Sequence, residues 1–386
     1  LDVRAVQKIV FSVSFNKEEA IKEAKQVFKK SEELKKIERK RLKRLFGQDS
    51  LIKTNKLEIH PVKCREAAPR HSVKGGVFNR VNFAYLCAKN SLNSLIIFKK
   101  NIPLGLYAGL PWFFQFWSRD ELISLNSLDK KNQKKILLKY FNEINKISNL
   151  DSLGWLFFRA GKMMNYREIN KLFFKFIDKF EILDANLTWM DTLSRSKAIE
   201  LYALKLAMYK SAGFLEKEKQ LLKYTRDNFW NGKILADSLN NFIIRPNIFL
   251  AAYIYPELLS KKEWIVCFEN ALSKLWLSWG GIASVDKTSN LFIEQSTGEN
   301  SKSYHNGDSW FWINNLTALV LTRIDRKKFK KYIEKILTAG ANEILWNGAI
   351  GHHSELSSAN KFSSESCWVQ AWSNALYLEL INYFRK

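Results

Sequence analysis

From Lys17 onward the chain repeats its apolar residues at intervals of three and four, and this helical periodicity excludes most fold classes. The spacing predicts helices over Lys17–Phe46, Val77–Phe98, Glu121–Ser148, Ser152–Gly161, Asn165–Phe180, Ala198–Ala212, Leu215–Phe229, Asn247–Leu259, Lys262–Leu277, Trp310–Ile324, Arg326–Thr338 and Trp368–Phe384. No strands alternate with them, which argues against a parallel α/β sheet and for an all-α domain. A dozen helices is also the number that six concentric helical hairpins require. Strand candidates are few; residues 1–15 read as a strand, through β-branched and aromatic residues in partial alternation, and no partner hairpin lies nearby. The expected division is a strand-like segment over 1–16, a charged helix and linker over 17–76, and the helical domain over 77–386.

Charge bears on what such a domain could bind. Lys and Arg exceed Asp and Glu by 62 to 38, giving a formal charge of +24, which would favour an anionic partner if it were concentrated. Its densest part, Lys35 to Arg44, mixes Glu and Lys at helical spacing as a solvated helix does, so neither nucleic-acid nor membrane binding is expected. Cys64, Cys87, Cys267 and Cys367 form no CxxC pair, so neither a zinc ribbon nor a disulfide scaffold is indicated, and a reducing, cytoplasmic location fits best. The uncharged stretch Asn101–Ser118 contains Pro103, Gly105, Gly109 and Pro111, which break it as a membrane span.

The segments between helices are unusually aromatic and carry the candidate chemistry. Pro111-Trp112-Phe113 to Trp117-Ser118-Arg119-Asp120 ends in a guanidinium and a carboxylate that could hold vicinal hydroxyls, or form an ion pair capping the next helix. Leu187-Thr-Trp189-Met-Asp191 sets a carboxyl behind apolar side chains, where its pKa would rise and let it donate a proton, unless it is a plain N-cap. Tyr304-His305-Asn306-Gly307-Asp308-Ser309-Trp310 is rich in neutral donors, and His305 alone would more simply be a structural hydrogen-bonder. Glu355 follows His352 and His353 in a non-periodic loop ahead of Gln370-Ala-Trp372-Ser373; the adjacent histidines would point apart, against a metal site. Aromatic faces beside such groups suit a sugar, which has apolar C–H faces and a belt of hydroxyls.

Taken in order, these stretches resemble the catalytic domain of glycogen debranching enzymes, the amylo-α-1,6-glucosidase family, over roughly residues 77–384. The family's Pro-Trp-Phe and Trp-Gly-Arg-Asp are similar to Pro111–Phe113 and Trp117–Asp120, and its Asp-Ala-Ser-Leu-Trp to Asp151–Trp155. Its Leu-Thr-Trp-Met-Asp recurs as Leu187–Asp191, Val-Glu-Ile in part as Ala198-Ile199-Glu200, Arg-Pro-Asn as Arg245–Asn247, Tyr-His-Gln-Gly as Tyr304–Gly307 and Gln-Ala-Trp-Ser as Gln370–Ser373. Ser118, Asn306 and Phe311 depart from the family's Gly, Gln and Pro. The loop between Asp191 and Glu200 is shorter than the family's, which would reshape the entry to the site.

The resemblance implies an (α/α)6 toroid and an inverting hydrolase without a cofactor or metal. Asp191 would be the general acid and Glu355 the general base. Trp112, Phe113, Trp117, Arg119, Asp120, Asp151, Trp189, Glu200, His305, Asn306, Trp310, Gln370 and Trp372 would hold the substrate, a branched α-glucan or oligosaccharide. A glucoamylase- or trehalase-like exo-α-glucosidase, or a non-catalytic glucan-binding subunit, are the alternatives. Relatives carry a β-rich domain ahead of the toroid, so residues 1–16 would be its remnant or a contact to it. The isolated strand and the start at Leu1 raise the expectation that a separate chain supplies that domain.

Overall fold

The computed structural model describes residues 17–30, 77–99, 102–144, 147, 150–164, 167–171, 188–300 and 302–385, with isolated positions between 33 and 40. The chain divides into two compact units, Leu1–Asn55 and Lys56–Lys386. In the first, helix α1 (Lys17–Lys29) is the one continuous described element. The strand-like segment 1–16 and most of the expected linker lie outside the described residues.

The second unit holds α2 (Val77–Ser94), α3 (Ser118–Ser124), α4 (Lys130–Asn142), α5 (Leu150–Ala160), α6 (Ile199–Ala212), α7 (Leu215–Phe229), α8 (Asn247–Ile254), α9 (Lys261–Leu275), α10 (Phe311–Asp325), α11 (Lys330–Asn342) and α12 (Ala371–Arg385). Residues 167–171 are also helical. Composition decides which helices lie inside. All eight residues of α8 are buried, as are twelve of fifteen in α10 and eleven of fourteen in α6. Helices apolar on every side have no face to offer water. In α7, by contrast, only Thr225 and Phe229 are buried, and its charged residues face out.

Packing follows this division. Helix α3 packs on α5, α5 on α6, α6 on α8, α8 on α10, α10 on α12, and α12 back on α3, closing an inner ring of six. Helices α2, α4, α7, α9 and α11 pack outside it against α12, α5, α6, α8 and α10. This is the (α/α)6 toroid: outer and inner helices alternate along the chain, with the helical residues 167–171 standing between the inner helices α5 and α6, so that the inner helices run in one direction.

Local chemistry sets the turns. Asp129 caps α4 by accepting from the Lys131 and Asn132 amides, which breaks the expected helix Glu121–Ser148 in two. Ser260 and Glu263 form a capping box on α9. Gly213, at φ 72°, ends α6 in the left-handed conformation. The expected Val77–Phe98 helix stops at Ser94, because Ile96 and Ile97 enter strand β1 (Ile96–Lys99), antiparallel to β2 (Ile102–Leu106). No helix of the described residues is long and apolar enough to cross a membrane.

Two short pairings tie the loops at one end of the ring. Strand β3 (Gly109–Leu110) pairs with β6 (Val369–Gln370), and β4 (Ser309–Trp310) with β5 (Leu356–Ser357). Each joins the segment entering an inner helix to a segment distant in sequence.

Candidate active site

Because the inner helices are parallel, their first turns meet at one end of the ring. Arg119 and Asp120 open α3, Asp151 opens α5, Glu200 opens α6, Asn247 opens α8, Trp310 precedes α10 and Gln370 precedes α12. Of these, Arg119, Asp120, Trp310 and Gln370 line a cavity of about 250 Å³ whose wall also includes Phe113, Trp117, Trp189, Asp191, Glu299, Tyr304, Glu355 and Trp372. Indole and phenyl faces alternate there with carboxyl groups.

The indoles are fixed from behind. Trp189 donates its Nε1–H to Asn247 Oδ1 at 2.7 Å and meets Trp310 and Trp312 edge to face. Trp310 donates to the Tyr304 carbonyl at 2.7 Å. Trp372 stacks on Trp312 at 5.0 Å. Its own Nε1–H and the Oε1 of Gln370 are buried without a partner.

Four carboxyl groups face this space in different settings. Asp191 lies at the rim with 53% of its side chain exposed, and Arg119 Nη1 stands 3.5 Å away. Loss of hydration on its covered side raises its pKa, against the pull of Arg119. It lies eight residues ahead of α6, so it is not that helix's N-cap. Glu355 is buried. Tyr304 donates to its Oε1 at 2.7 Å, Ser366 donates to Oε2, and the Cys367 amide reaches Oε2 at 3.3 Å. Burial pushes its pKa up to about 7, the three donors draw it down, and the charge of Glu299 adds to the rise. Asp120 is also pushed up to about 7 by burial, against the pull of Arg119, and Gln370 Nε2 donates to it at 3.3 Å. The fourth is the exposed Glu299.

Arg119 does not cap its own helix through Asp120. Its Nε binds Asp151 Oδ2 at 2.5 Å on the neighbouring inner helix, spanning α3 and α5 beneath Asp191. The other expected residues stand further back. Glu200 is held by both terminal nitrogens of Arg195, at 2.6 and 2.9 Å, and Arg195 also grips Asp237 at 2.7 and 2.9 Å. This ion-paired cluster closes the short loop between Asp191 and Glu200. His305 is fully buried behind the wall, stacked on Trp310 at 5.0 Å, with Nδ1 2.6 Å from Thr192 Oγ1. Burial first, then the cations Arg245, Arg195 and Arg119, push its pKa well below the ordinary imidazole range, so it is neutral. Asn306 accepts from Arg245 at 2.8 Å. Trp112 is exposed beside Trp368, ring centroids 6.2 Å apart. Leu187 lies outside the described residues.

Sequence reasoning did not single out Glu299 and Ser366, and it quoted Tyr304 without a role. Tyr304 adjoins His305 in a motif already noted, which was a usable signal. Glu299 and Ser366 sit in Ser- and Asn-rich loops whose composition marks only a turn.

The family model described as amylo-alpha-1,6-glucosidase matches residues 168–379, more than half of the chain. The chain belongs to the amylo-alpha-1,6-glucosidase family. Among solved structures, a glycosidase in complex with glucose superposes with a TM-score of 0.58 at 9% identity, covering 79% of this chain and 98% of that one. A wild-type glycosidase gives the same figures. The glycoside hydrolase family 15 glucoamylase from Hypocrea jecorina superposes with a TM-score of 0.52 at 12% identity over 79% and 72% of the two chains. At these identities the likeness is one of fold. A comparison with curated protein sequences gives no match. Membership of the amylo-alpha-1,6-glucosidase family makes the chain a glycosidase-type protein, and the matched span contains Asp191, Glu200, His305, Glu355 and Gln370.

Proposed function

We propose that this chain is an inverting glycoside hydrolase that releases terminal glucose from α-1,6 branch stubs of glycogen-like glucans, with Asp191 as general acid and Glu355 as general base. The observation that carries the reading is that a rim carboxyl and a buried carboxyl face one indole-walled cavity. A terminal glucose fills the cavity, with Trp189, Trp310 and Trp372 against its C–H faces and Gln370 and Asp120 on its hydroxyls. The rest of the glucan leaves through the mouth, where Asp191 stands.

In the reaction Asp191 gives its proton to the glycosidic oxygen as the bond to the anomeric carbon breaks. A water held by Glu355 attacks that carbon from the opposite face and yields its proton to Glu355. Inversion needs about 6.5–9.5 Å between the carboxyls to seat this water. The chemistry requires Asp191 protonated and Glu355 ionised, yet burial raises the pKa of the free Glu355 strongly. Substrate corrects the order: the glucan strips water from the exposed Asp191 and raises its pKa, while the attacking water joins three existing donors on the Glu355 carboxylate.

The roles are separable by leaving group. Asp191→Asn is expected to keep much of its rate on α-glucosyl fluoride, whose departure needs no proton, and to lose about 10²-fold or more on a branched glucan. Glu355→Gln loses activity on both. The reverse pattern would exchange the two roles.

A glucoamylase-like exo-α-glucosidase is the second reading, favoured by the fold shared with the Hypocrea jecorina glucoamylase. Glucose release from isomaltosyl, maltosyl and trehalose substrates separates the two. Preference for the isomaltosyl substrate supports debranching, and preference for maltosyl overturns it.

A further inference from the structure

The Ser366 hydroxyl lies between two carboxyl groups of the cavity. It is 2.6 Å from Glu299 Oε1 and within hydrogen-bond distance of Glu355 Oε2 on its other side. A serine hydroxyl has one proton and can donate to only one of them. Both contacts are full hydrogen bonds at once when one of the two carboxyls carries a proton and donates it to the serine oxygen. Ser366 is held at φ 61°, the left-handed region that residues other than glycine seldom occupy. An outlier placed between two cavity carboxyls is motive to look for a role.

We propose that Glu299 and Ser366 form a proton-sharing bridge to Glu355, which sets when that carboxyl is ionised and carries its proton out to solvent. The transfer balances. The Glu355 Oε2–H bond breaks as the proton passes to Ser366 Oγ, and the serine's own proton passes to Glu299 Oε1. Glu299 is exposed and releases that proton to water, and the serine, whose new proton points at the Glu355 carboxylate, turns towards Glu299 before the next transfer. Glu299 and Ser366 are positioning residues here, acting on the reaction through Glu355. Tyr304 holds the other oxygen, Oε1, and leaves Oε2 for the bridge.

The titratable and charged groups facing Glu355 are Asp120 from α3, Tyr304 and Glu299 from the segment before α10, and Cys367 beside Ser366. Of these, Glu299 reaches it through a shared hydroxyl. The two members of the bridge therefore act in opposite senses. Glu299→Gln removes the competing carboxyl, leaves Ser366 to donate to Glu355 undivided, and lowers the pH at which Glu355 ionises. Ser366→Gly keeps the left-handed backbone without strain, removes a donor from the Glu355 carboxylate, and raises that pH.

This inference rests on the reading of Glu355 as general base, but its test does not require activity. Protein labelled with ¹³C at the glutamate carboxyls is titrated by NMR, and the Glu355 resonance is identified by its loss in Glu355→Gln. Its midpoint is expected to fall by roughly one pH unit in Glu299→Gln and to rise by roughly one in Ser366→Gly. Midpoints that stay put, or move in the same direction, overturn the bridge. If they move as expected in a protein that releases no glucose, the bridge stands and the hydrolase reading falls. In an active enzyme the low-pH limb of kcat/KM follows the same two shifts.

Discussion

Glu355 shows how a single residue can serve a site at the expense of the fold. Its carboxyl ionises near 4.5 in the unfolded chain and near 7 when buried. Between those values the folded state binds more protons, so stability from this group is fully present below about pH 4.5 and is lost as pH rises through 7. Glu355→Gln, which cannot ionise, is expected to be more stable than the wild type by roughly 1–3 kcal/mol at pH 8 and by little at pH 4. Denaturant unfolding at the two pH values checks this, and an equal difference at both would show that the effect is packing. Asp191 and Glu355 were both legible as carboxyls in aromatic, non-periodic loops. Their partners were not, because nothing in local spacing links residues 304, 355 and 366, which meet only through the β4–β5 pairing and its neighbouring loop.

At the level of elements, the helices were read most closely where apolar periodicity ran into a clear stop. Leu215–Phe229 has the bounds its spacing predicts. The breaks were missed where a cap residue sat inside a continuing pattern, as Asp129 does, or where two isoleucines chose a strand over another helical turn. The loop before α10 is fixed by contacts no periodicity reveals: Arg245 holds the His305 carbonyl at 2.5 Å, and the Gly307 amide donates to Ser284 Oγ at 2.8 Å. A Cβ on Gly307 would run into the Ile293 carbonyl, a backbone atom that cannot swing aside. Gly307→Ala is therefore expected to destabilise the protein by at least about 2 kcal/mol and to displace Tyr304 from Glu355. Thermal unfolding measures the first effect and the Glu355 titration the second; an unperturbed melt would show that the loop yields.

Over the whole molecule, the toroid was legible in outline because its inner and outer helices differ in composition. All-round apolar helices such as α8 must be enclosed, and mixed ones such as α7 must face water. What the sequence could not display is the closure of α12 on α3, a contact between the two ends of the domain that depends on every crossing angle between them. That closure brings the starts of α3, α10 and α12 to one mouth, and it explains why site residues from Phe113 to Trp372 are scattered through more than half of the chain yet line one cavity. Single-displacement hydrolysis is the reaction proposed for this mouth. Its most direct test is the anomer of the glucose first released from a branched limit dextrin, followed by ¹H NMR before mutarotation. β-Glucose from the wild type, with release abolished in Asp191→Asn and Glu355→Gln, is the predicted result. α-Glucose as the first product would contradict it and require a covalent intermediate.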